Sequence, residues 1–507
     1  MAVSMEIGKF TLESLTTGMY EQPLIIYREY LQNAADSLEE AVRKHLISDK
    51  DMRVDVRIDT LDRSIEIYDN GAGIDEASAE LVLLSIGTSQ KTHTESRGFR
   101  GIGRLGGISY CERLEFETTA FGDKVGTKVT FDCSRLRELM LPGENTNMSM
   151  EAVVTSSSFT EHFSAEADDH YFIVRLLGVD ERTGLLDSER VTPYLSQTAP
   201  VTYGPYFKML SDKLYAFLKE KGVSLTEFPV FLSYDKGHPK PLNKPFSRHY
   251  SAGRGQDADD DTVYEIETIT VNDSQGKLIA VGWYGKSSWL GLLKNEAIRG
   301  LRLRKGNIQI GDEHTLDIIF KEARFNGWTQ GEIFAIDDDL IPNARRDNFE
   351  QNNAYWELLH ALKDGIGASI TSQIREASKR RNDPVQKAVN NGQALIRTVQ
   401  DKQQAGFNSG EEFVATRETI EQTLSRLSKA KTTKPEVQKE REKTVGQLQE
   451  VLRTFDEDAS FKTDKLKGIL SKKEKRVLQI ASDVMTRYLD EMLLDTIVNE
   501  IVDELSQ

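Results

Sequence analysis

Cysteine is almost absent from this chain: its 507 residues include two, Cys111 and Cys133. Two isolated thiols supply neither a disulfide framework nor zinc-ligand spacing, fit a reducing compartment, and read as ordinary core or strand residues. Histidine is also scarce, eight in all, with no His-x-His or His-Glu-x-x-His arrangement, so no histidine-based metal centre is indicated. No apolar run approaches the roughly 20 residues that span a bilayer. The opening Met1-Ala-Val-Ser-Met-Glu-Ile-Gly8 has no basic patch ahead of an apolar core, so neither a membrane span nor a signal peptide is expected. A cytoplasmic location follows as the expectation, and the length allows about three domains.

Positive charge is in deficit overall, with a net charge of −16, but the deficit is uneven. From Ile374 to Leu478 there are 23 Lys and Arg against 16 Asp and Glu, whereas Asp483 to Gln507 has Arg487 as its one basic residue. The acidic remainder repels a phosphate backbone, so any nucleic-acid contact belongs to segment 374–478. A solvated helix surface is the plainer reading of the same charges.

What is present is concentrated near the start. Glu29, Asn33 and Asp36 stand at i, i+4 and i+7, on one face of a helix whose other faces carry Leu31, Ala34, Ala35 and Leu38. A carboxamide oxygen from Asn33 suits Mg²⁺, which takes oxygen ligands and keeps waters and substrate phosphates. Glu29, one turn earlier, is placed to polarise an attacking water. Ile65-Glu-Ile-Tyr68 alternates like a strand and runs into Asp69-Asn-Gly-Ala-Gly73, an open turn that lets a flat base approach Asp69. Arg97-Gly-Phe-Arg-Gly-Ile-Gly-Arg104 leads into the apolar run Leu105 to Tyr110, so free N–H groups at a helix start would form a phosphate cradle. Gly126-Thr127 then opens another strand.

At these four motifs, all within residues 29 to 127, the chain resembles the GHKL ATPase superfamily of DNA gyrase, heat-shock protein 90, histidine kinases, MutL and the MORC proteins. Glu29-x-x-x-Asn33-x-x-Asp36 looks like its N box and Asp69-x-Gly71-x-Gly73 like its adenine-binding box. Gly98-x-x-Gly101-x-Gly103 is similar to its phosphate-binding box, and Gly126-Thr127 to its closing threonine. The resemblance implies Glu29 as the water-activating base, Asn33 as the Mg²⁺ ligand, Asp69 as the adenine reader and Thr127 as its support. It also implies a mobile lid over residues 75–97 and a phosphate contact from Lys91.

The rest of the chain extends the likeness. Tyr171–Leu177, Thr262–Val271 and Leu278–Tyr284 read as strands from their β-branched and aromatic content. Segment 206–222 reads as a helix, and Lys305-Gly-Asn307 as the turn of a basic strand pair. This portion looks like a transducer domain. Within it Asn343, Arg346 and Asp347 match the pattern of the chaperone's middle-domain loop, which implies that Arg346 reaches the γ-phosphate, with Arg345 and Lys305 as competitors. Beyond residue 351 the chain reads as several helices. Val445, Leu448, Leu452 and Phe455 form a seam, and Val484, Tyr488, Met492, Ile497, Ile501 and Leu505 form a stripe expected to pair two chains.

The expected fold is therefore α+β: a GHKL (Bergerat) ATP-binding α/β sandwich over residues 1–160, an α/β transducer domain over 161–350, and a helical dimerisation or partner-binding domain over 351–507. The expected function is a homodimeric clamp, heat-shock protein 90-like, that binds Mg-ATP and hydrolyses it to drive a conformational change in a chaperone or bacterial defence setting. The alternative is a DNA-associated clamp of the MORC or MutL kind. A histidine kinase is a third class, set back because no phosphoacceptor helix precedes Glu29.

Overall fold

The computed structural model describes residues 9, 22–86, 103–141, 143, 148–253, 258–381, 384–432, 435–456, 459–466, 469–489 and 491–506. They form two compact units. The first takes Met1–Ala258, Glu265–Lys286 and Gly291–Thr371; the second takes Asp259–Tyr264, Ser287–Leu290 and Ser372–Gln507.

In the first unit, helix α1 spans Ile25–Arg43 and is followed by β1 (Val54–Asp59), β2 (Ser64–Asp69), α2 (Glu76–Leu84), a 3₁₀ segment Gly103–Ser109, β3 (Arg113–Thr119) and β4 (Val125–Asp132). Then come α3 (Cys133–Met140), α4 (Met150–Ser156), β5 (Ser158–Ser164), β6 (Tyr171–Leu177), α5 (Ser188–Thr198), α6 (Lys208–Glu220), β7 (Val230–Tyr234) and β8 (Lys240–Pro241). The eight strands make one sheet in the order β5-β4-β3-β6-β2-β1-β7-β8. Its inner face follows the two-residue period: Val56, Ile58, Ile65, Ile67, Leu114, Phe116, Val129, Phe131, Val174 and Leu176 share one buried cluster with Tyr27, Leu31, Ala34 and Leu38 of α1. Each large apolar side chain so buried contributes about 2 kcal/mol. The opposite face carries opposed charges, with Arg57 on Glu66 at 2.8 Å, and Arg175 on Glu66 at 2.8 Å and on Glu117 at 2.6 Å.

The division expected at residue 160 falls inside β5, and β6 lies between β3 and β2 in the first sheet. Alternation announced that strand correctly but carries no information about its partners, which is why it read as part of the next domain.

Further along run β9 (His249–Gly253), β10 (Asp259–Thr262), β11 (Glu265–Asn272), β12 (Leu278–Lys286), β13 (Leu292–Leu293), β14 (Gly300–Lys305), β15 (Ile308–Ile310), β16 (Gln330–Ala335) and α7 (Asn353–Ala361). A second sheet has the order β11-β12-β16-β14-β15. The basic strand pair is present as β14 and β15, turned by Gly306 (φ +55°) and Asn307 (φ +60°). Every residue of β16 is buried. Helix α7 stays with this unit, since Asn348 Nδ2 donates to Tyr355 Oη at 3.0 Å, so the division expected at 350 precedes a helix that is still packed here.

Helix α8 spans Ala368–Arg381. The second unit contains α9 (Pro384–Ala405), α10 (Gly410–Lys429), α11 (Pro435–Thr454), α12 (Lys472–Thr486) and α13 (Glu491–Ser506). Prolines open α9 and α11, where a missing N–H costs nothing. Leu448 and Phe455 of the expected seam are fully buried with Val389, Val399, Ile420 and Leu427, so the seam packs within its own chain. The stripe expected on the last helix is displaced: Leu494, Val498 and Val502 form its buried face, against Leu466, Leu478 and Met485. Leu505 is exposed, and Val484 and Tyr488 precede α13 altogether. The side chain of Met492 lies outside the described residues. Both sets of positions satisfy helical spacing, and only packing selects between them.

Candidate nucleotide site

Helix α1 is not an amphipathic helix with a wet polar edge. Arg28, Glu29, Gln32 and Asp36 are all buried beside its apolar residues, and Asn33 is half-buried. Burying such groups is costly unless each has a purpose or a partner. Glu29 has both a close wall and a counter-charge. A Cβ added at Gly103 would fall 2.1 Å from Glu29 Oε2, so the carboxylate rests on bare backbone at the start of the 3₁₀ segment. Opposite lies Arg346, whose Nε is 3.2 Å from Oε1 and donates to Oε2 at 3.4 Å.

The turn presenting Arg346 is closed by its own polar groups. Asn343 N–H donates to Asn348 O at 2.9 Å, Arg346 N–H donates to Asn343 O at 3.1 Å, and Asn343 Nδ2 donates to Asp347 Oδ1 at 2.6 Å. That geometry explains the Asn-x-x-Arg-acid spacing: the amide and acid close a loop that turns the arginine inward. Arg345 is exposed and Arg346 buried, so of the two neighbours Arg346 faces the site. Lys305 donates to Asp337 O at 2.6 Å.

On the base-reading side, Asp69 is buried at the end of β2 and accepts from Gly71 N–H at 3.0 Å. A Cβ at Gly71 would lie 2.6 Å from Asp69 Oδ1 and 2.1 Å from Ser37 Oγ, so the two side chains meet over the bare glycine. Gly73 adopts φ +63° and would collide with Thr119 O if it carried a Cβ. Ser37 follows Asp36 on α1, and its carbonyl accepts from Ala72 N–H at 3.1 Å, locking the loop to the helix. His170 reaches Gly71 O at 2.7 Å.

Thr127 is not brought to Asp69. Register places Asp69 beside Phe172, Phe172 beside Thr118, and Thr118 beside Thr127. Three strand spacings of about 4.8 Å separate the two by about 14 Å. The Thr127 hydroxyl lies 3.4 Å from His162 Nδ1 instead, and Ser37 occupies the position beside Asp69 that the resemblance gave to Thr127. Lys91, Gly98 and Gly101, with most of the glycine-rich loop and residues 87–97 of the expected lid, lie outside the described residues.

Around Glu29 several buried polar atoms have no hydrogen-bond partner: Gln32 Oε1, Arg104 Nε, Tyr194 Oη and Asn343 Oδ1. Burial pulls the Arg104 guanidinium down to about 10, and it pushes the Tyr194 phenol up, with Arg28 and Glu29 near enough for their charges to act on it. Groups of this kind are nearly always satisfied by protein, water or ligand: the Arg104 and Tyr194 donors fit the oxygens of a phosphate chain, and the Gln32 and Asn343 carbonyl oxygens fit a water. Asn33, one turn beyond Glu29, is the residue to hold Mg²⁺, which would share the phosphate charge. Among the described residues no group of three His, Cys, Asp or Glu side chains could hold a metal ion. Sequence reading missed Arg28, Gln32, Ser37 and Tyr194, since motif spacing singles out neither neighbours within a helix nor partners across the fold.

A helix-backed sheet with a buried acid on the helix and a glycine-framed acid at a strand end defines a nucleotide-binding sandwich. Residues 27–155 match the model of the family described as histidine kinase-, DNA gyrase B-, and HSP90-like ATPase, and this part of the chain is a GHKL-family domain. No curated protein matches the chain.

Proposed function

We propose that the chain binds Mg-ATP and hydrolyses it to ADP and phosphate. The observation that carries this reading is the buried Glu29–Arg346 pair, set against Gly103 and surrounded by unbonded polar atoms. Asp69 with Ser37 reads the adenine amine, and Asn33 is the residue that would hold Mg²⁺, whose charge would offset that of the phosphates. Glu29 accepts the proton of the attacking water while Arg346 turns to the γ-phosphate, where its charge meets the charge growing on the transferring oxygens. Because Arg346 is borne by the segment that follows β16, hydrolysis is coupled to the position of the second sheet, as in heat-shock protein 90-like, MORC and MutL ATPases.

The same reading makes the protein a homodimeric clamp, paired through an apolar face of α12 that no other described part of the chain covers: Val477, Ile480 and Val484, continued by Tyr488. A protein-directed, chaperone-like or defence role is favoured over DNA binding because four cations of segment 374–478 are paired with acids. Lys402 pairs with Glu412, Arg417 with Asp456, Arg453 with Glu450 and Lys462 with Asp495. Calorimetry with Mg-ATP and a phosphate-release assay test the reading: wild type turns over and Glu29→Gln binds without turnover. Equal turnover in both would overturn it.

A further inference from the structure

Arg28 is the most deeply placed charge on α1 with no part in the motif. It is 3 % exposed, no carboxylate pairs with it among the described residues, and its Nε has no hydrogen-bond partner. Among the described residues its one hydrogen bond is from Nη2 to Arg345 O at 2.9 Å. A guanidinium taken out of water costs several kcal/mol unless compensated, and a single carbonyl is poor compensation. The contact has a partner alongside it. Arg28 precedes Glu29, Arg345 precedes Arg346, and Arg346 bonds Glu29. Two neighbouring residues of the helix therefore grip two neighbouring residues of the turn, 317 positions away.

The turn needs that grip. Arg346 has φ +56°, in the left-handed region that a residue with a Cβ occupies at a cost of about 1–2 kcal/mol. The strain is held on both sides: Gly311 N–H donates to Arg346 O at 2.8 Å, and Arg28 holds the carbonyl just before it. Without Arg28 the peptide between Arg345 and Arg346 loses the bond to its carbonyl and keeps the one from Arg346 N–H to Asn343 O, so the Arg346 side chain is aimed less firmly.

We propose that Arg28 is a positioning residue for hydrolysis: by holding the Arg345 carbonyl it seats Arg346 on Glu29 and keeps it within reach of the γ-phosphate. The inference rests on the proposed roles of Glu29 and Arg346. It assigns Arg28 no contact with nucleotide, so its loss acts on turnover and not on affinity.

The test uses the full chain as wild type, Arg28→Ala, Arg28→Lys, Arg346→Ala and the double Arg28→Ala/Arg346→Ala variant, with kcat and KM from phosphate release and ADP affinity from calorimetry. Arg28→Ala is expected to lower kcat tenfold or more, with ADP affinity and KM within about threefold of wild type. Arg28→Lys, which keeps the charge and the apolar stem, recovers part of the rate and stands in if Arg28→Ala does not fold. The double variant is no slower than Arg346→Ala, because the two act through one geometry. Multiplied losses in the double variant, a normal kcat in Arg28→Ala, or weakened ATP with unchanged ADP affinity would each overturn the proposal. Full activity in Arg346→Ala would instead strike the proposed role of Arg346 itself.

Discussion

Arg346 Nε lies 3.2 Å from Glu29 Oε1, with both side chains 6 % exposed, although 317 residues separate them. The pair joins the helix bearing the proposed base to the turn bearing the proposed charge-stabilising arginine. In the proposed mechanism Arg346 turns from this carboxylate to the γ-phosphate as Glu29 accepts the proton of the water.

Removing either member leaves the other buried without counter-charge, at a cost of about 3 kcal/mol or more. Arg346→Ala and Glu29→Ala should both melt lower than wild type without nucleotide. Mg-ATP should raise the melting temperature of both, since ligand binding favours the folded state. Turnover should fall on the order of a hundredfold in Arg346→Ala, as for loss of an oxyanion-stabilising group. Melting curves and phosphate release check both statements, and an Arg346→Ala variant with normal stability and rate would count against the pair as a working element.

On the base-reading side the structure and the resemblance give opposite expectations for one residue. Asp69→Asn should weaken ATP binding tenfold or more, and Ser37→Ala by a smaller factor, because their side chains meet over Gly71. Thr127→Ala should change affinity less than twofold, since it stands three strands from Asp69. Calorimetry on the three variants decides it: a large loss in Thr127→Ala would return the threonine to the base site.

A second buried cluster, built on the second sheet, offers a pH test. Glu332 is fully buried between Lys244, at 3.1 Å, and Arg304, and it also accepts from Tyr203 Oη and Trp283 Nε1. Lys244 Nζ further donates to Asn307 Oδ1 at 2.9 Å, and Arg304 donates to Gln197 O at 2.6 Å. Burial pulls the Lys244 ammonium down to about 8, while Arg304 and Lys244 hold the Glu332 carboxylate below its ordinary range. A lysine with a folded-state value below its unfolded one binds fewer protons when folded. Its contribution to stability therefore rises as pH climbs from about 8 to the unfolded value near 10.4. Denaturant midpoints from pH 7.5 to 10 should have a more positive slope in wild type than in Lys244→Met, and equal slopes would refute the shift.

How much of this was legible in the chain divides by range. Glu29, Asn33 and Asp36 were readable because helical spacing places them together, and Asp69-x-Gly71-x-Gly73 because a close approach demands missing side chains. Arg346 was readable from a short pattern that closes its own turn. What failed was long-range. Alternation revealed strand β6 but not its seat between β3 and β2, and so could not reveal that it separates Thr127 from Asp69. Lys244, Arg304 and Glu332 look like surface charges in a chain where 29% of residues are charged, and only the fold makes them a buried cluster. Helical spacing on α13 allowed two faces, and burial chose the one not expected.

Nucleic acid is the alternative partner, and its test is independent of ATP. Contacts between segment 374–478 and phosphates would release counterions, so affinity would drop steeply between 50 and 200 mM salt, on the order of a thousandfold for six contacts. With Lys402, Arg417, Arg453 and Lys462 engaged by acids, we expect gel-shift titrations with duplex and single-stranded DNA to show no such binding at 50 mM salt. Tight, salt-sensitive binding would replace the protein-directed clamp with a DNA clamp.

The final prediction concerns assembly. Val477, Ile480, Val484 and Tyr488 are 61%, 54%, 44% and 81% exposed; the first three share one helical face by their spacing of three and four, and Tyr488 follows just past the end of α12. The opposite side of α12, with Leu478 and Met485, packs against the last helix, so this face is not needed for the fold of the unit. An exposed apolar patch of this kind marks an interaction site. Its ends differ in charge: Lys472, Lys473, Lys475 and Arg476, with Glu474 among them, open the helix, while Asp483 lies near its end and Arg487 there is paired with Glu411. Antiparallel pairing of two copies would therefore oppose unlike charges about a two-fold axis near Ile480. Light scattering should report a dimer for wild type and a monomer for Ile480→Glu, with circular dichroism unchanged. Turnover should fall several-fold in Ile480→Glu if pairing raises the frequency of productive closure. A dimeric Ile480→Glu variant would move the interface elsewhere, and a fully active monomer would show that each chain closes alone.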